Sequence, residues 1–249
     1  MIVELETSQN VMRIRMNHGS SNILDFELMD ALDQALDGCA GIPVVVLSSS
    51  TKNFSMGVDI KIHTPELVPQ MLDRFHNMIR KLYHFPGVTV AEVHGYALGG
   101  GMELALVCDF VVARGEAKVG FPEIKLACFP PVAAILLPRK MKQRSLELLF
   151  TGEMIAAKEA LEAGLVDRNF GSDEKELFES FIGRVSCHSP DALRTMKKAI
   201  RETTGFDFDA ELQKAEQIYL KDLMQSPDMA EGIRAFLEKR PPHWHAVHE

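Results

Sequence analysis

The sequence predicts an α/β core followed by a helical C-terminal part. Three observations lead there. Val88–Val93 (VTVAEV) is an apolar, β-branched run that passes through a glycine-rich junction into the apolar helical stretch Met102–Val107. Val44–Leu47 passes in the same way through a polar loop, residues 48–57, into Val58-Asp59-Ile60-Lys61. From Lys142 onward the patterns are helical, interrupted mainly by Leu165-Val166.

Taken in order, residues 2–5 and 11–16 alternate about Ser8-Gln9-Asn10 and predict a hairpin. Residues 26–36 place Leu28, Met29, Leu32, Ala35 and Leu36 on one helical face, with Asp25 as N-cap and Gly38 as stop. Residues 65–84 predict a long amphipathic helix with Leu67, Met71, Leu72, Phe75, Met78, Ile79 and Leu82 on its apolar side. Such a helix could cover a pocket. After the central helix come strands at 110–113 and 117–120, then helices at 145–150, 157–163, 174–185, 191–202, 209–224 and 229–239.

Composition narrows the class. With 249 residues, 46% hydrophobic and 25% charged, the chain can bury a large core. A formal charge of −8 without a compensating basic run argues against a general nucleic-acid binder. There is no apolar run of about 18 residues and no charged-then-apolar N-terminal pattern, so a cytoplasmic protein away from the membrane is expected. Cys39, Cys108, Cys128 and Cys187 are scattered without metal or redox spacing, which predicts reduced thiols. His18, His63, His76, His84, His94, His188, His243, His245 and His248 show no metal-ligand spacing either, and His243-x-His245 reads as a tail. No metal site is expected.

The junction Gly95-Tyr96-Ala97-Leu98-Gly99-Gly100-Gly101 carries the chemistry. Its three successive glycines leave the backbone bare, and a helix starting there presents free N–H groups and a positive dipole end. A dinucleotide fingerprint fails, because counting from Gly99 and Gly101 the third glycine would fall on Leu104. A P-loop fails as well, because Met102 and Glu103 follow Gly101. A backbone oxyanion hole fits better, with a second donor from the matching loop that ends at Gly57. Glu103 is the one charged side chain in an otherwise apolar helix. A glutamate in a first turn most often only complements the dipole; here the bare turn and apolar neighbours favour function. Glu123 follows Pro122 among apolar residues. A carboxyl in such surroundings takes up a proton more readily and can act as an acid near neutral pH. Together the two make a two-carboxylate arrangement suited to moving protons.

At these residues the chain resembles the crotonase (enoyl-CoA hydratase/isomerase) superfamily. The match includes Asn22-Ile23-Leu24, KNFSMGVDIK (52–61), GYALGGGMELALVCD (95–109), GFPEIKL (120–126), Thr151-Gly152-Glu153 through Ala163-Gly164-Leu165-Val166, Ser189-Pro190, and AFLEKR (235–240). These motifs in this order are specific. The resemblance implies a spiral of ββα turns over residues 1–190 holding an acyl-coenzyme A site. It also implies a helical C-terminal region, residues 191–249, that builds homotrimers or homohexamers. No metal or redox cofactor is implied, coenzyme A being part of the substrate. The Val58 and Gly100 backbone N–H groups would hold the thioester oxygen. Glu103 would activate water, and Glu123 would deliver the proton. Asn22, Ile23, Met56, Asp59 and Ile60 would lie along the coenzyme, with Lys239 reaching it from a neighbouring subunit.

Two departures stand out. Pro131 occupies a position that is usually glycine, and proline has no N–H with which to position a water. Gly19-Ser20 replaces the Lys or Arg that many relatives turn toward the coenzyme phosphates, leaving Lys239 and His18 as substitutes. The Phe129-Pro130-Pro131 pattern and Asn22-Ile23-Leu24-Asp25 look most like the branch that hydrates cyclohexa-1,5-diene-1-carbonyl-CoA in anaerobic aromatic degradation. The expected activity is therefore hydration of an unsaturated acyl-CoA, with a cyclic dienoyl group favoured. A straight-chain enoyl-CoA hydratase, an enoyl-CoA isomerase and a non-catalytic acyl-CoA binder are the alternatives. The presence of both glutamates argues for hydration, since one carboxyl suffices for isomerisation and none for binding.

Overall fold

A computed structural model describes residues 1–245, and its core is built from a six-stranded and a three-stranded sheet. Strands β1 (Val3–Ser8) and β2 (Val11–Met16) form the expected antiparallel hairpin, turning at Gln9, whose φ is +48°. Helix α1 (Phe26–Asp37) begins where the Asp25 side chain accepts the Leu28 N–H and buries the five residues read from its periodicity. Strand β3 (Val44–Ser49) pairs parallel to β2. Helix α2 (Val68–Tyr83) starts three residues later than its pattern suggested, with Pro69 in its first turn. Its buried face includes Met71, Leu72, Phe75, Met78, Ile79 and Leu82 as expected and, in addition, Val68 and His76, whereas Leu67 precedes the helix and is half-buried.

The spiral is visible next. Strand β4 (Val88–Val93) extends the first sheet beside β3, and the chain then forms β5 (Tyr96–Leu98) in a second sheet before helix α3 (Gly100–Leu106). Strand β6 (Phe110–Arg114) returns to the first sheet and β7 (Lys118–Gly120) to the second, parallel to β5. The isolated bridges Ser55↔Ala97 and Leu24↔Val58 tie the preceding loop onto the same stack. These are successive ββα turns, as the resemblance implied. The sequence showed one strand running directly into the glycine turn. A three-residue strand, β5, lies between them.

A second correction concerns residues 131–141. They form helix α4 (Pro131–Met141), although helical patterns were expected only from Lys142. Pro131 sits at the first helical position, where proline's fixed φ and missing N–H are tolerated. Helix α5 (Gln143–Thr151), strand β8 (Met154–Ala156, antiparallel to β7), helix α6 (Ala157–Glu162) and strand β9 (Arg168–Phe170, parallel to β6) follow. Leu165 and Val166, expected to interrupt the helices, are buried just before β9. The first sheet thus runs β1-β2-β3-β4-β6-β9 and the second β5-β7-β8.

The remaining helices are α7 (Lys175–Ser186), α8 (Pro190–Thr203), α9 (Phe208–Lys221) and α10 (Pro227–Leu237). Polar contacts fix α8 to the sheet. Lys197 Nζ lies 2.6 Å from Asp109 Oδ2 and donates to the Gly87 carbonyl at 2.7 Å. Breaking a buried pair of this kind by removing one partner typically costs about 3–5 kcal/mol. Helix α9 packs on α4 and α2, stacking Phe208 on Tyr83 with 3.9 Å between ring centroids. No helix among the described residues is long and apolar enough to cross a membrane.

Candidate active site

Two loops converge where the glycine spacing placed them. The Asn22-Ile23-Leu24 segment lies beside Gly57-Val58-Asp59, with Leu24 N–H donating to Gly57 O at 2.9 Å and Asp59 N–H to Leu24 O at 3.1 Å. Gly57 has φ +96°, and a Cβ there would lie 2.8 Å from Leu98 O and 3.6 Å from Gly100 N. A Cβ on Gly100 would meet Val58 Cγ2 at 2.7 Å. Val58 and Gly100 are therefore neighbours across a gap that only glycine permits. Among the described residues, neither the Val58 N–H nor the Gly100 N–H has a protein acceptor. Two free amides close together on separate loops are what an acyl oxyanion requires.

Glu103 stands in the first turn of α3 with 3% of its surface exposed. Its Oε1 accepts two backbone hydrogen bonds, from Val132 N–H at 2.8 Å and Ala133 N–H at 3.0 Å. Those amides open α4 immediately after Pro131, so the unexpected proline begins the turn that grips the carboxylate. Burial pushes the Glu103 carboxyl up to about 7, against the pull of the two amides. Glu123 lies in a short 3₁₀ turn, Pro122–Leu126, that follows β7. The residue as a whole is half-buried, yet its Oε2 is buried and has no hydrogen-bond partner among the described residues. Its carboxyl is raised well above the ordinary carboxylate value, first by desolvation and then by the negative charge of Glu103. A Cβ on Gly99 would lie 2.4 Å from Glu123 Oε1, so the bare backbone at Gly99 makes room for this acid. The two carboxyls share one electrostatic environment and cannot both be ionised cheaply.

Both glutamates, Val58 and Gly100 border one cavity of about 90 Å³. Its apolar wall comes from Met71, Leu72 and Phe75 of α2 and from Phe129, Pro130 and Pro131, so α2 does cover the pocket. Met56 and Ile60 also border it. Cys128, whose thiol burial pushes up to about 11, and Tyr219, whose hydroxyl is raised by burial, close the side formed by α4 and α9.

The other residues expected along the coenzyme divide. Asn22 offers nothing to a ligand through its side chain. It is fully buried, its Nδ2 donates to Ser49 Oγ, Thr51 Oγ1 and the Asn53 and Phe54 carbonyls, and its Oδ1 accepts the His18 N–H. Its φ of +46° suits Asn, and it fixes the loop that carries Val58. The Asp59 side chain caps a short turn by accepting Lys61 N–H at 3.0 Å. Ile23 and Met56 are exposed. Lys239 is exposed and does not border the cavity of its own chain. His18, the other substitute, lies 2.8 Å from Asp25 Oδ2 through Nε2. His243 and His245 are held by α10, donating to Glu231 and Asp228, while His248 lies outside the described residues. No group of three or more potential metal ligands occurs among the described residues.

One site residue escaped the sequence reading. His76 borders the cavity, and its only visible signal was a polar residue inside the apolar stripe Leu72, Phe75, Ile79.

Comparison with known proteins agrees with this geometry. A family model described as enoyl-CoA hydratase/isomerase matches residues 6–247. A protein of Thauera aromatica named cyclohexa-1,5-dienecarbonyl-CoA hydratase is 33% identical over 246 residues, covering 97% of this chain and 95% of that protein. An Escherichia coli 2,3-dehydroadipyl-CoA hydratase is also 33% identical, over 242 residues and 94% of each chain. The crystal structure of an enoyl-CoA hydratase from Mycobacterium avium subsp. paratuberculosis superposes with a TM-score of 0.87 at 26% identity, covering 99% of both chains.

Proposed function

The chain belongs to the enoyl-CoA hydratase/isomerase family, and from that premise we propose that it adds water to a cyclic unsaturated acyl-CoA thioester, of the cyclohexadienecarbonyl type. Its class is hydratase, and the family acts on acyl-CoA thioesters. The observation that carries the proposal is the pair Glu103 and Glu123, buried on one cavity beside two unpaired amides, with environments that separate their proton affinities.

The separation assigns the roles. Near neutral pH Glu103 is available as a carboxylate, steadied by the Val132 and Ala133 amides, while Glu123 keeps its proton. Glu103 takes a proton from water as the water oxygen bonds to the β-carbon. The electron pair of the double bond moves toward the thioester, and the growing charge on its oxygen is held by the Val58 and Gly100 N–H groups. Glu123 then gives its proton to carbon. One proton is released to Glu103 as hydroxyl joins the β-carbon and one is delivered from Glu123 to the neighbouring carbon, so the net addition is one water, and proton exchange with solvent restores the starting state. Reaction through a buried, preorganised donor pair is the largest source of rate in acyl chemistry of this kind.

The cyclic preference rests on the likeness to the Thauera aromatica protein and on the stiff aromatic and proline wall, which favours a flat ring over a flexible chain. The coenzyme supplies no chemistry of its own, and no metal or redox group enters the steps. Assembly as a trimer or a pair of trimers, with Lys239 of one subunit near the coenzyme of the next, belongs to the same proposal, as does a place in the cytoplasm and in the breakdown of aromatic compounds. A screen of linear and cyclic unsaturated thioesters, with products identified by mass, tests it. Hydration of the cyclic diene faster than of linear enoyl groups is expected; a shifted double bond without added water would make the protein an isomerase and overturn the assignment. Glu103→Gln sharpens the distinction, since full activity in that variant would also mean single-carboxyl isomerisation.

A further inference from the structure

His76 is fully buried on α2 and borders the acyl cavity. Its Nδ1 is engaged with Glu216 Oε1 at 2.6 Å. That carboxylate is itself held by Arg80, whose Nη2 donates to it at 2.8 Å, and the Glu216 carboxyl is displaced below its ordinary value. An ionised carboxylate can only accept, so the shared proton sits on Nδ1. Nε2 then carries a lone pair. It is buried and has no hydrogen-bond partner among the described residues. Burial also holds the ring neutral, moving its proton affinity down.

A neutral imidazole with its lone pair unpaired beside an apolar cavity is costly to leave as it is, because the buried acceptor has lost its water without gaining a donor. The neighbouring wall, Leu72 and Phe75, offers no donor. The arrangement Arg80–Glu216–His76 spans helices α2 and α9 and fixes which nitrogen is open. A plain hydrocarbon acyl group would leave Nε2 unmatched, whereas one bearing a hydroxyl would satisfy it.

We propose that His76 is a specificity-determining residue whose Nε2 accepts a hydrogen bond from a hydroxyl carried by the acyl group, so that among cyclic acyl-CoA thioesters of the proposed type the protein binds ring-hydroxylated members, a hydration product included, more tightly than their hydrocarbon counterparts. The inference rests on the cavity being the acyl site, as in the proposed function, and Glu216 and Arg80 act as positioning residues through His76. Sites built to bond a substrate hydroxyl discriminate strongly against analogues that lack it, because the protein group is then left unpaired.

The test separates binding from turnover. Saturated cyclohexanecarbonyl-CoA, its ring-hydroxylated isomers and a ring-carboxylated analogue are titrated into the full-length protein by calorimetry; none can be hydrated. At least one hydroxylated isomer should bind about tenfold or more tightly than the parent ring, equivalent to one net hydrogen bond. In His76→Phe that order should collapse or reverse. The wild-type comparison stands even if His76→Phe does not fold, and His76→Leu provides a smaller replacement. A parent ring that binds as tightly as every hydroxylated isomer would overturn the inference, as would tightest binding of the carboxylated analogue, which would mean a charged imidazolium. If the binding order holds but no unsaturated thioester is hydrated, the hydratase reading fails and the role of His76 stands. If none of these thioesters binds, both fall.

Discussion

Replacing Glu103 by Gln should cost the protein its activity and at the same time stabilise it, by an amount that depends on pH. In the unfolded chain this carboxyl titrates near its ordinary value of 4.5, and in the folded protein burial moves it to about 7. Below the lower value both states hold the proton and the burial carries no ionisation penalty. As pH rises through this window the unfolded chain releases the proton first, so folding stability falls, and the loss is complete above the folded value. At about 1.4 kcal/mol per tenfold change in proton affinity, the full loss is ~3 kcal/mol. Gln keeps an oxygen for the Val132 and Ala133 amides and has no proton to lose. Urea unfolding should therefore give nearly equal stabilities at pH 4 and a variant more stable by up to ~3 kcal/mol at pH 8, with the midpoint shifted and the slope unchanged. Hydration by the same preparation should fall about 10²–10⁴-fold, the usual contribution of a general base. An equal stability difference at the two pH values would refute the burial argument. A variant less stable than wild type at pH 8 would do so more decisively.

Further outcomes follow from the same geometry. Val58→Pro deletes an N–H that no protein group uses and should lower kcat about 10²–10³-fold, as loss of one oxyanion donor does, while Val58→Ala should be mild; near-normal turnover in folded Val58→Pro would remove Val58 from the site. Gly99→Ala places a methyl 2.4 Å from Glu123 Oε1 at a φ of +52°, so it should lower both thermal stability and activity, with at least about 1–2 kcal/mol from the backbone alone; an unchanged melting temperature would contradict the contact. Asn22→Ala strands the groups that Asn22 Nδ2 gathers and should destabilise by about 2 kcal/mol or more in urea unfolding. Exposed Met196, Ile200, Phe236 and Leu237 favour association, and light scattering should find at least a trimer at micromolar concentration; a monomer would count against it and against Lys239 serving a neighbour.

Much of the framework was legible because its causes are local. The Asp25 cap, the Gly38 stop and the apolar stripe of α1 lie within a dozen residues of one another. Elements whose stability comes from distant partners were not. Strands β5 and β8 are three residues long and exist because β7 lies between them. Helix α4 hid behind Pro131 and Pro138, and its start is tied to Glu103, which lies 29 positions earlier. The two glutamates and the glycine loops could be read because their residue types are unusual for their surroundings. The supports could not: the use of Asn22 as a loop fastener, and the pairing of His76 with Glu216 across 140 positions, depend on tertiary proximity.

The two acids hang from neighbouring rungs of one ladder, Glu103 in the helix that follows β5 and Glu123 in the 3₁₀ turn that follows β7. Leu98 of β5 lies beside Gly120 of β7 in a parallel register, and Gly99 N–H donates to Gly120 O at 2.9 Å just before each chain turns toward its glutamate. Neighbouring strands are spaced about 4.8 Å apart whatever side chains they carry. The second sheet thus sets side by side the two turns that carry the acids. Exchanging the residue on one rung alters which atom of a bound thioester meets a proton, while the opposite rung and the grip on the thioester oxygen stay where they were. Changing the distance between the acids, by contrast, would require rebuilding the sheet. A scaffold of this kind gives up new reactions readily to single substitutions and resists new spacings, which makes the rungs, more than the loops, the natural place to redesign its chemistry.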